Sequence, residues 1–180
     1  MNQHFKFLKT KIEELYIIER SLIEDDRGFF SRFFCEKEYR SIGFNQSIKQ
    51  MNHSFTEKKG SIRGMHFQRS PFKETKIIRC TKGMVFDVAV DIRKESPTYL
   101  QWHGEILTAE KGNSFYIPEG FAHGFQTLTD NCELLYIHSE FYEKAAEGAL
   151  NALDSKIDIA WPLEVTEMSD RDRKTPLIDK

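Results

Sequence analysis

The sequence predicts an all-β fold, a sandwich or a barrel, and three observations support this. Apolar residues fall mainly in short segments of alternating apolar and polar positions, and glycine, proline, asparagine or clustered charge separates these segments. Only two segments favour a helix. Fifteen phenylalanines among 180 residues suit the core of a β fold, and they also suit a pocket with aromatic walls.

The clearest strand candidate is GMVFDVAVDIRKESPT (83–98). Every second residue from Met84 to Ile92 is apolar, whereas Asp87, Asp91 and Arg93 fall on the other face of the segment. Because successive side chains of a strand point to opposite faces, the segment predicts a strand with one fully apolar face. The other strand candidates are ELYIIE (14–19), SIKQMNHS (47–54), GSIRGMHFQRS (60–70), TKIIRC (75–80), LQWHGEILT (100–108), NSFYIP (113–118) and CELLYIHSE (132–140).

The two helix candidates are short. CEKEYRSIG (35–43) ends in a glycine that suits a helix C-terminus, and EKAAEGAL (143–150) has helical propensity although it contains Gly148. No repeat of fixed period, low-complexity tract or linker divides the chain. We therefore expect one domain that spans residues 1–180, with a few short helices at its periphery.

The charges of the chain are nearly balanced, with 26 Lys and Arg against 28 Asp and Glu. No part carries the concentrated basic stripe that nucleic acid or an anionic membrane requires, so neither is expected as a partner. No apolar run has the length of a signal-peptide core or of a membrane helix. The three cysteines, Cys35, Cys80 and Cys132, are odd in number and widely spaced, which indicates reduced thiols in a cytoplasmic protein.

A cluster of glycine and proline in KGNSFYIPEGFAHGFQTL (111–128) gives the first functional signal. The order and spacing of Gly112, Pro118, Gly120 and His123 resemble the second signature of the cupin superfamily. Cupins are β folds, so this resemblance agrees with the strand pattern.

The first cupin signature is present only in part. Gly60 and His66 match its start, but Gln68 replaces its second histidine, and Lys73 or Glu74 stands around the position of its glutamate. Two of the usual four metal ligands are therefore missing or displaced. Because stable transition-metal sites take three or four protein donors, we predict no metal.

Eight blocks carry a closer resemblance, and they follow one another in register over nearly the whole chain. They are RGFF (27–30), QMNHS (50–54), IRGMHFQ (62–68), GMVFDVAVDIRKESPTYLQW (83–102), IPEGFAHGFQTL (117–128), LLYIHSEFY (134–142), IDIAWPL (157–163) and MSDRDRKTPLI (168–178). In these blocks the chain resembles the dTDP-4-dehydrorhamnose 3,5-epimerase family. The resemblance implies a metal-free cupin with a jelly-roll fold, a homodimer, and a nucleoside-diphosphate-linked 4-keto-6-deoxy sugar as substrate.

The resemblance also implies four catalytic residues. His66 matches the family's base, and Asp172 matches the carboxylate that orients this base. Tyr136 matches the proton donor on the other face of the sugar, and Lys76 matches a cation near the enolate oxygen. These residue types suit the reaction, since a C4 ketone acidifies the C–H bonds at C3 and C5, and epimerisation needs a base, an acid and a group that stabilises the enolate.

Further residues match substrate-binding positions. Arg27 and Arg63 match positions that bind the diphosphate, a task that suits the forked donors of guanidinium groups. Arg32 stands near the nucleotide base, where the family usually has an acidic residue, so a guanosine- or cytidine-linked sugar is an alternative to a thymidine-linked one. The remaining matches are Gln50, Asn52, His123, Glu147 and Arg171.

The residue patterns alone leave other interpretations open. His66 could be a core histidine bound to a backbone carbonyl, Tyr136 a packing residue, and Lys76 a charge that protects a strand edge. The leading hypothesis is a cofactor-independent 3,5-epimerase in deoxysugar and surface-polysaccharide synthesis. The alternatives are an epimerase that acts at C3 or C5 alone, a 3,4-ketoisomerase on the same scaffold, a non-catalytic cupin that binds a nucleotide sugar, and a metal-dependent cupin dioxygenase.

Overall fold

Strands make up most of the regular structure. A computed structural model describes residues 4–178. Its strands are β1 (Phe5–Lys9), β2 (Tyr16–Arg20), β3 (Ile23–Asp25), β4 (Gly28–Phe30), β5 (Gln50–Thr56), β6 (Ser61–Gln68), β7 (Lys76–Lys82), β8 (Met84–Asp91), β9 (Trp102–Thr108), β10 (Ser114–Ile117), β11 (Phe121–Thr127), β12 (Cys132–His138), β13 (Glu147–Ala149) and β14 (Glu167–Met168). Its helices are α1 (Glu36–Tyr39), α2 (Asp170–Arg173) and 3₁₀ turns at Arg40–Ile42 and Lys144–Ala146.

The strands form two main sheets and a separate hairpin. The first sheet has the order β1-β2-β10-β7-β12-β5, and the second has the order β13-β6-β11-β8-β9, with β14 parallel to β6. Strands β3 and β4 pair only with each other. Most neighbours within a sheet are distant in sequence because the chain passes repeatedly from one sheet to the other. The prediction of an all-β fold is confirmed.

A shared apolar core holds the two sheets together. Ile78 and Phe115 of the first sheet pack in one cluster with Val85, Leu107 and Phe125 of the second. All five side chains are almost completely buried. Burying a side chain of this kind stabilises the fold by roughly 1.5–3 kcal/mol.

Strand β8 lies within the predicted segment 83–98, and both of its faces are buried. Val85 and Ala89 face the core between the sheets, whereas Val88 and Val90 pack against the C-terminal segment that contains Ile157. The carboxylate of Asp91 is consequently buried as well, and Arg93, Ser96 and Thr98 bind it. These hydrogen bonds outweigh the effect of burial and lower the pKa of Asp91 to about 2.

The two helix candidates have different outcomes. Segment 35–43 contains α1 and the following 3₁₀ turn, and it ends at Gly43 with φ +92°, so this prediction is confirmed. The prediction of a helix over 143–150 is wrong beyond Ala146, because residues 147–149 form β13 on the edge of β6. Gly148 permits this pairing, since a Cβ there would lie 2.5 Å from the ring of Phe67.

Two further sequence expectations concern thiols and membranes. Cys35, Cys80 and Cys132 are free, and burial raises the pKa of the Cys80 thiol to about 12. Between residues 4 and 178, no helix is long and apolar enough to cross a membrane. The cytoplasmic location stays a prediction.

Candidate active site

An open cavity of roughly 850 Å³ lies between the two sheets. Strands β5, β7 and β12 border it on one side, and β6 and β11 border it on the other. Segments that contain β13 and α2 also contribute to its wall. The predicted site residues that line it are Gln50, Asn52, Arg63, His66, Lys76, His123, Tyr136, Glu147, Arg171 and Asp172.

Strand register explains why residues from separate sequence blocks meet here. On the first sheet, His138 of β12 lies opposite Lys76 of β7 and Gln50 of β5. Two residues earlier in β12, on the same face, Tyr136 lies opposite Asn52. On the second sheet, His66 and His123 are cross-strand partners, so each sheet presents its own row of polar side chains to the cavity.

Helix α2 brings a carboxylate to His66. Ser169 caps the helix by accepting a hydrogen bond from the Asp172 backbone N–H. Asp172 Oδ1 lies 2.7 Å from His66 Nε2, and Oδ2 accepts a bond from the Gly64 N–H at 3.3 Å. Burial opposes ionisation of Asp172, but the bonds from His66 and Gly64 outweigh it and lower the pKa of the carboxyl. Asp172 is therefore a buried anion that fixes the imidazole.

Arg171 contacts the same imidazole from the solvent side. Its Nη2 lies 2.8 Å from His66 Nε2, while its Nη1 lies 2.9 Å from both carboxylate oxygens of Glu147. Arginine can only donate, so it favours an unprotonated Nε2, whereas Asp172 favours a protonated Nε2. Both neighbours thus engage the same ring nitrogen, which leaves Nδ1 as the ring nitrogen without a contact from Asp172 or Arg171.

Tyr136 enters the cavity from the first sheet. Its hydroxyl lies 3.0 Å from Ser54 Oγ, and its ring centroid lies 6.1 Å from that of His123. Burial raises the pKa of the phenol well above its ordinary value, and the bond to Ser54 only partly opposes this effect. The phenol therefore holds its proton at neutral pH and gives it up only to a strong base, such as an enolate carbon.

His123 reaches the cavity wall with one ring nitrogen already engaged. Its Nε2 lies 2.9 and 3.0 Å from the two oxygens of Asp87, which is completely buried. Burial raises the pKa of Asp87, although the charge of His123 opposes this shift. Asp87, the polar residue that β8 places between the sheets, therefore orients His123.

Lys76 is buried beside His66. Its Nζ donates to the backbone carbonyl of His66 at 3.2 Å and lies 3.2 Å from Glu74 Oε1. Glu74 also contacts His138, and neither residue was among the predicted site residues. The alternation in CELLYIHSE is the signal for His138, since it places this residue on the face of Tyr136.

Two predicted binding residues do not reach this cavity within one chain. Arg27 lies at the turn of the β3–β4 hairpin, where its side chain is 89% exposed and binds Asp25. Arg32 binds Glu38, the residue that also accepts a bond from the backbone N–H of His4. Sequence reasoning gave no indication that the hairpin stands apart from the cavity.

The cupin metal positions have other partners in this structure. Gln68 donates to the backbone carbonyls of Phe72 and Phe141. Within residues 4–178, no group of three or more His, Cys, Asp or Glu side chains is arranged to hold a metal ion.

Residues 9–180 match the family model described as dTDP-4-dehydrorhamnose 3,5-epimerase. The chain belongs to this family. As a family member it is an epimerase of the isomerase class, so the resemblance seen in the eight sequence blocks is confirmed.

Relatives and solved structures agree over almost the full length. The dTDP-4-dehydrorhamnose 3,5-epimerase of Salmonella typhimurium is 43% identical over 175 residues, which are 96% of this chain and 95% of the relative. The crystal structure of the Bacillus anthracis epimerase with TDP and PPi bound has a TM-score of 0.93 at 37% identity and covers 97% of this chain and 99% of its own. The cupin-type jelly-roll prediction is thus confirmed for this epimerase.

A third comparison includes a sugar ligand. The structure of dTDP-6-deoxy-D-glucose-3,5-epimerase from Legionella pneumophila Philadelphia 1, in complex with dTDP-4-keto-L-rhamnose, has a TM-score of 0.92 at 40% identity. It covers 97% of this chain and 93% of its own. Its ligand belongs to the substrate class that the sequence blocks imply.

Proposed function

We propose that this epimerase inverts C3 and C5 of a dTDP-linked 4-keto-6-deoxy sugar without a cofactor, in deoxysugar synthesis for surface polysaccharide. One observation carries the proposal: His66 and Tyr136 stand on opposite sheets and border the same cavity. A base and an acid in this arrangement can act on opposite faces of one pyranose ring. The dTDP sugar bound to the Legionella relative supports the substrate class.

The first proposed step removes a proton from the carbon next to the ketone. Asp172 engages His66 Nε2, so Nδ1 is the nitrogen left to accept this proton. The electron pair of the C–H bond moves into the ring and places negative charge on O4. The Lys76 ammonium stabilises this enolate oxygen by charge and hydrogen bonding.

The second proposed step returns a proton from the other side. Tyr136 gives its hydroxyl proton to the carbanion carbon as O4 becomes a ketone again, and the configuration is inverted. The tyrosinate then takes a proton through Ser54, whose Oγ lies 3.0 Å from the phenol oxygen. His66 releases its extra proton to solvent, so the enzyme is restored without net proton uptake.

The anionic end of the substrate would bind at the exposed side of the cavity. Arg63 and Arg171 are exposed there, and each is held by neighbouring acceptors: Thr56 and Phe55 for Arg63, and Glu147 for Arg171. Two preorganised guanidinium groups suit a diphosphate. Gln50 and Asn52, which bind each other, complete this wall as proposed contacts of the sugar nucleotide.

The distance of Arg27 from this cavity supports a homodimer. The hairpin that carries Arg27 exposes Ile23, Phe29 and Phe30, an apolar surface that favours association. Strand β5, the edge strand of the first sheet next to the cavity, exposes Met51 and Phe55. We propose that the hairpin of one copy covers this edge in a second copy and supplies Arg27 there.

Solvent exchange tests the proposed reaction. The protein is incubated in deuterated water with 4-keto-6-deoxy sugars linked to dTDP, GDP or CDP, and NMR follows C3 and C5. We expect deuterium at both carbons of the dTDP sugar and none with His66→Asn. Absence of exchange with all three nucleotides would refute the function, label at one carbon alone would indicate a single-site epimerase, and a ketone at C3 would indicate a ketoisomerase.

The same experiment addresses Arg32. If this residue selects the base, the GDP or CDP sugar will turn over faster than the dTDP sugar. Its contact with Glu38 holds the guanidinium at the surface, 41% exposed, where a second copy can present a nucleotide. If an Arg32→Glu variant gains activity only with the dTDP sugar, residue 32 selects the nucleotide base of the substrate.

A further inference from the structure

A second pair of histidine and carboxylate lies at the end of the cavity that holds Tyr136. Glu74 Oε2 lies 2.7 Å from His138 Nδ1, and Glu74 Oε1 lies 3.2 Å from Lys76 Nζ. The three side chains are only 9–10% exposed. One buried carboxylate therefore bridges an ammonium group and an imidazole, and the proposed mechanism assigns no role to it.

The fold fixes the position of this carboxylate. Glu74 immediately precedes the buried Thr75 and strand β7. The Thr75 N–H donates to Ser139 Oγ at 2.8 Å, and the Ser139 N–H donates to the Thr75 carbonyl at 3.1 Å. This reciprocal pair locks the start of β7 to the end of β12. Glu74 consequently stays level with His138 and Lys76.

Lys76 depends on Glu74 for its orientation. A lysine side chain has a flexible four-carbon stem and a compact charge, so one hydrogen bond leaves its ammonium several positions. The carbonyl of His66, at 3.2 Å, supplies one fixed contact. Glu74 supplies the second and also balances the buried positive charge. Together they hold Nζ between the sheet of Tyr136 and the strand of His66.

His138 links the same carboxylate to the proton donor. The imidazole of His138 stacks on the ring of Tyr136, with centroids 6.1 Å apart and an interplanar angle of 23°. Its Nε2 lies 3.2 Å from Asn52 Nδ2. Both ring nitrogens are therefore engaged, which fixes the plane against which Tyr136 packs.

We infer that Glu74 is a positioning residue of the epimerisation: its carboxylate fixes the Lys76 ammonium where the enolate oxygen forms and, through His138, fixes the ring of Tyr136. The inference rests on the proposed function, because it assigns Lys76 to the enolate and Tyr136 to proton donation. The two guanidinium groups proposed to bind the diphosphate, Arg63 and Arg171, lie at the exposed side of the cavity, whereas Glu74 contacts Lys76 and His138. Glu74 should thus affect the chemical step more than substrate binding.

The variant Glu74→Gln tests this inference, because it keeps the size of the side chain and removes its charge. We expect kcat to fall by about 10- to 100-fold while KM for the nucleotide sugar changes by less than about threefold. Glu74→Asp keeps the charge but is too short to bridge both partners, so we expect an intermediate kcat. Binding of the nucleoside diphosphate, measured by calorimetry, should stay at the wild-type level in both variants.

Glu133→Gln is the matched control. Glu133 also bridges a histidine and a lysine, His53 at 3.2 Å and Lys82 at 3.4 Å, but its ion pairs lie at the surface. This variant should keep the wild-type kcat. An equal loss of kcat in Glu133→Gln would overturn the inference, and so would an unchanged kcat in Glu74→Gln.

Failure of the inference can be distinguished from failure of the proposed function. If the wild-type enzyme exchanges no deuterium into any 4-keto sugar, the proposed function is wrong. If the wild type is active and Glu74→Gln matches it, only the positioning role is wrong. Should Glu74→Gln fail to fold, Glu74→Asp decides the question, since an unchanged kcat in that variant contradicts the need for a carboxylate that reaches both partners.

Discussion

His66 and Asp172 are 106 residues apart in sequence, and their side chains meet at 2.7 Å. One lies in β6 and the other in α2, which follows the short parallel strand β14 along β6. The pairing of β14 with β6 thus places the carboxylate beside the imidazole. Helix α2 is only four residues long, so its N-cap and this strand pairing position it more than its own hydrogen bonds do.

Replacing Asp172 by asparagine should impair the chemical step. The amide keeps the shape of the carboxylate but cannot stabilise an imidazolium, so we expect kcat to fall by about 10²- to 10⁴-fold, as at other catalytic His–Asp pairs. Steady-state kinetics and the rate of deuterium incorporation measure this effect. Asp170→Asn, a change at an exposed residue of the same helix, should leave both unchanged.

Replacing Tyr136 by phenylalanine should separate the two half-reactions. His66 can still remove a proton, so the substrate should exchange hydrogen for deuterium with retention of configuration, while inversion falls by about 10²- to 10⁴-fold. NMR of the recovered sugar distinguishes these products. Tyr99→Phe, at an exposed tyrosine, is the control, and rapid inversion by Tyr136→Phe would assign the proton donor elsewhere.

Mixed dimers should show whether Arg27 acts in the partner's cavity. Arg27→Ala and His66→Ala are each expected to be nearly inactive as homodimers. In a heterodimer of the two variants, the Arg27→Ala subunit keeps His66 and the His66→Ala subunit keeps Arg27. If Arg27 acts in the partner's cavity, one of the two sites then has both residues, so about half of the wild-type activity should return. No recovery in a purified heterodimer would place Arg27 within its own subunit's site, and an active Arg27→Ala homodimer would place it outside the reaction.

Gly64→Ala should destabilise the fold at the site itself. Gly64 has φ +134°, and a Cβ there would lie 2.5 Å from Gly124 Cα, so β6 and β11 would have to separate. We expect a loss of about 3 kcal/mol in the free energy of unfolding. Gly28→Ala is the matched control, because Gly28 has φ +123° but nothing lies within 4 Å of the added Cβ. Urea unfolding of both variants separates crowding from backbone strain, and equal losses would contradict the crowding argument.

Asp91 should contribute stability that depends on pH. Its folded pKa is about 2, below the ordinary value of 3.8, so its contribution is complete above pH 3.8 and is lost as the pH falls toward 2. Asp91→Asn should therefore lower the free energy of unfolding at pH 7 by about 2 kcal/mol. The difference from wild type should shrink between pH 4 and pH 2 in denaturant titrations, and a constant difference would exclude ionisation as its source.

The sequence predicted most strands, and ten of its candidate site residues line one cavity. Alternation placed Tyr136 and His138 on one face, and the structure confirms that they share it. The role of Glu74 did not follow, because its carboxylate arrives from the loop before β7 and no local pattern shows that β7 pairs with β12. The register of a sheet depends on contacts between distant segments.

The same limit explains the segment 143–150. Its helical propensity is local, whereas the free edge of β6 offers hydrogen bonds that only the folded chain supplies. Strands β3 and β4 were also missed, since a three-residue strand is too short to show alternation. Strands β1 and β11 were not among the strand candidates either, so local composition predicted the fold class better than the complete set of strands.

The placement of His66 and Tyr136 on different sheets has a consequence for the apolar core. The gap across which a sugar must fit is set by how thick the layer between the sheets is, and Phe115, Phe125 and Leu134 fill that layer. These buried rings and methyl groups act as spacers, and Phe125 also lines the cavity. The packing of the core and the width of the cavity therefore depend on one length, the separation of the two β layers.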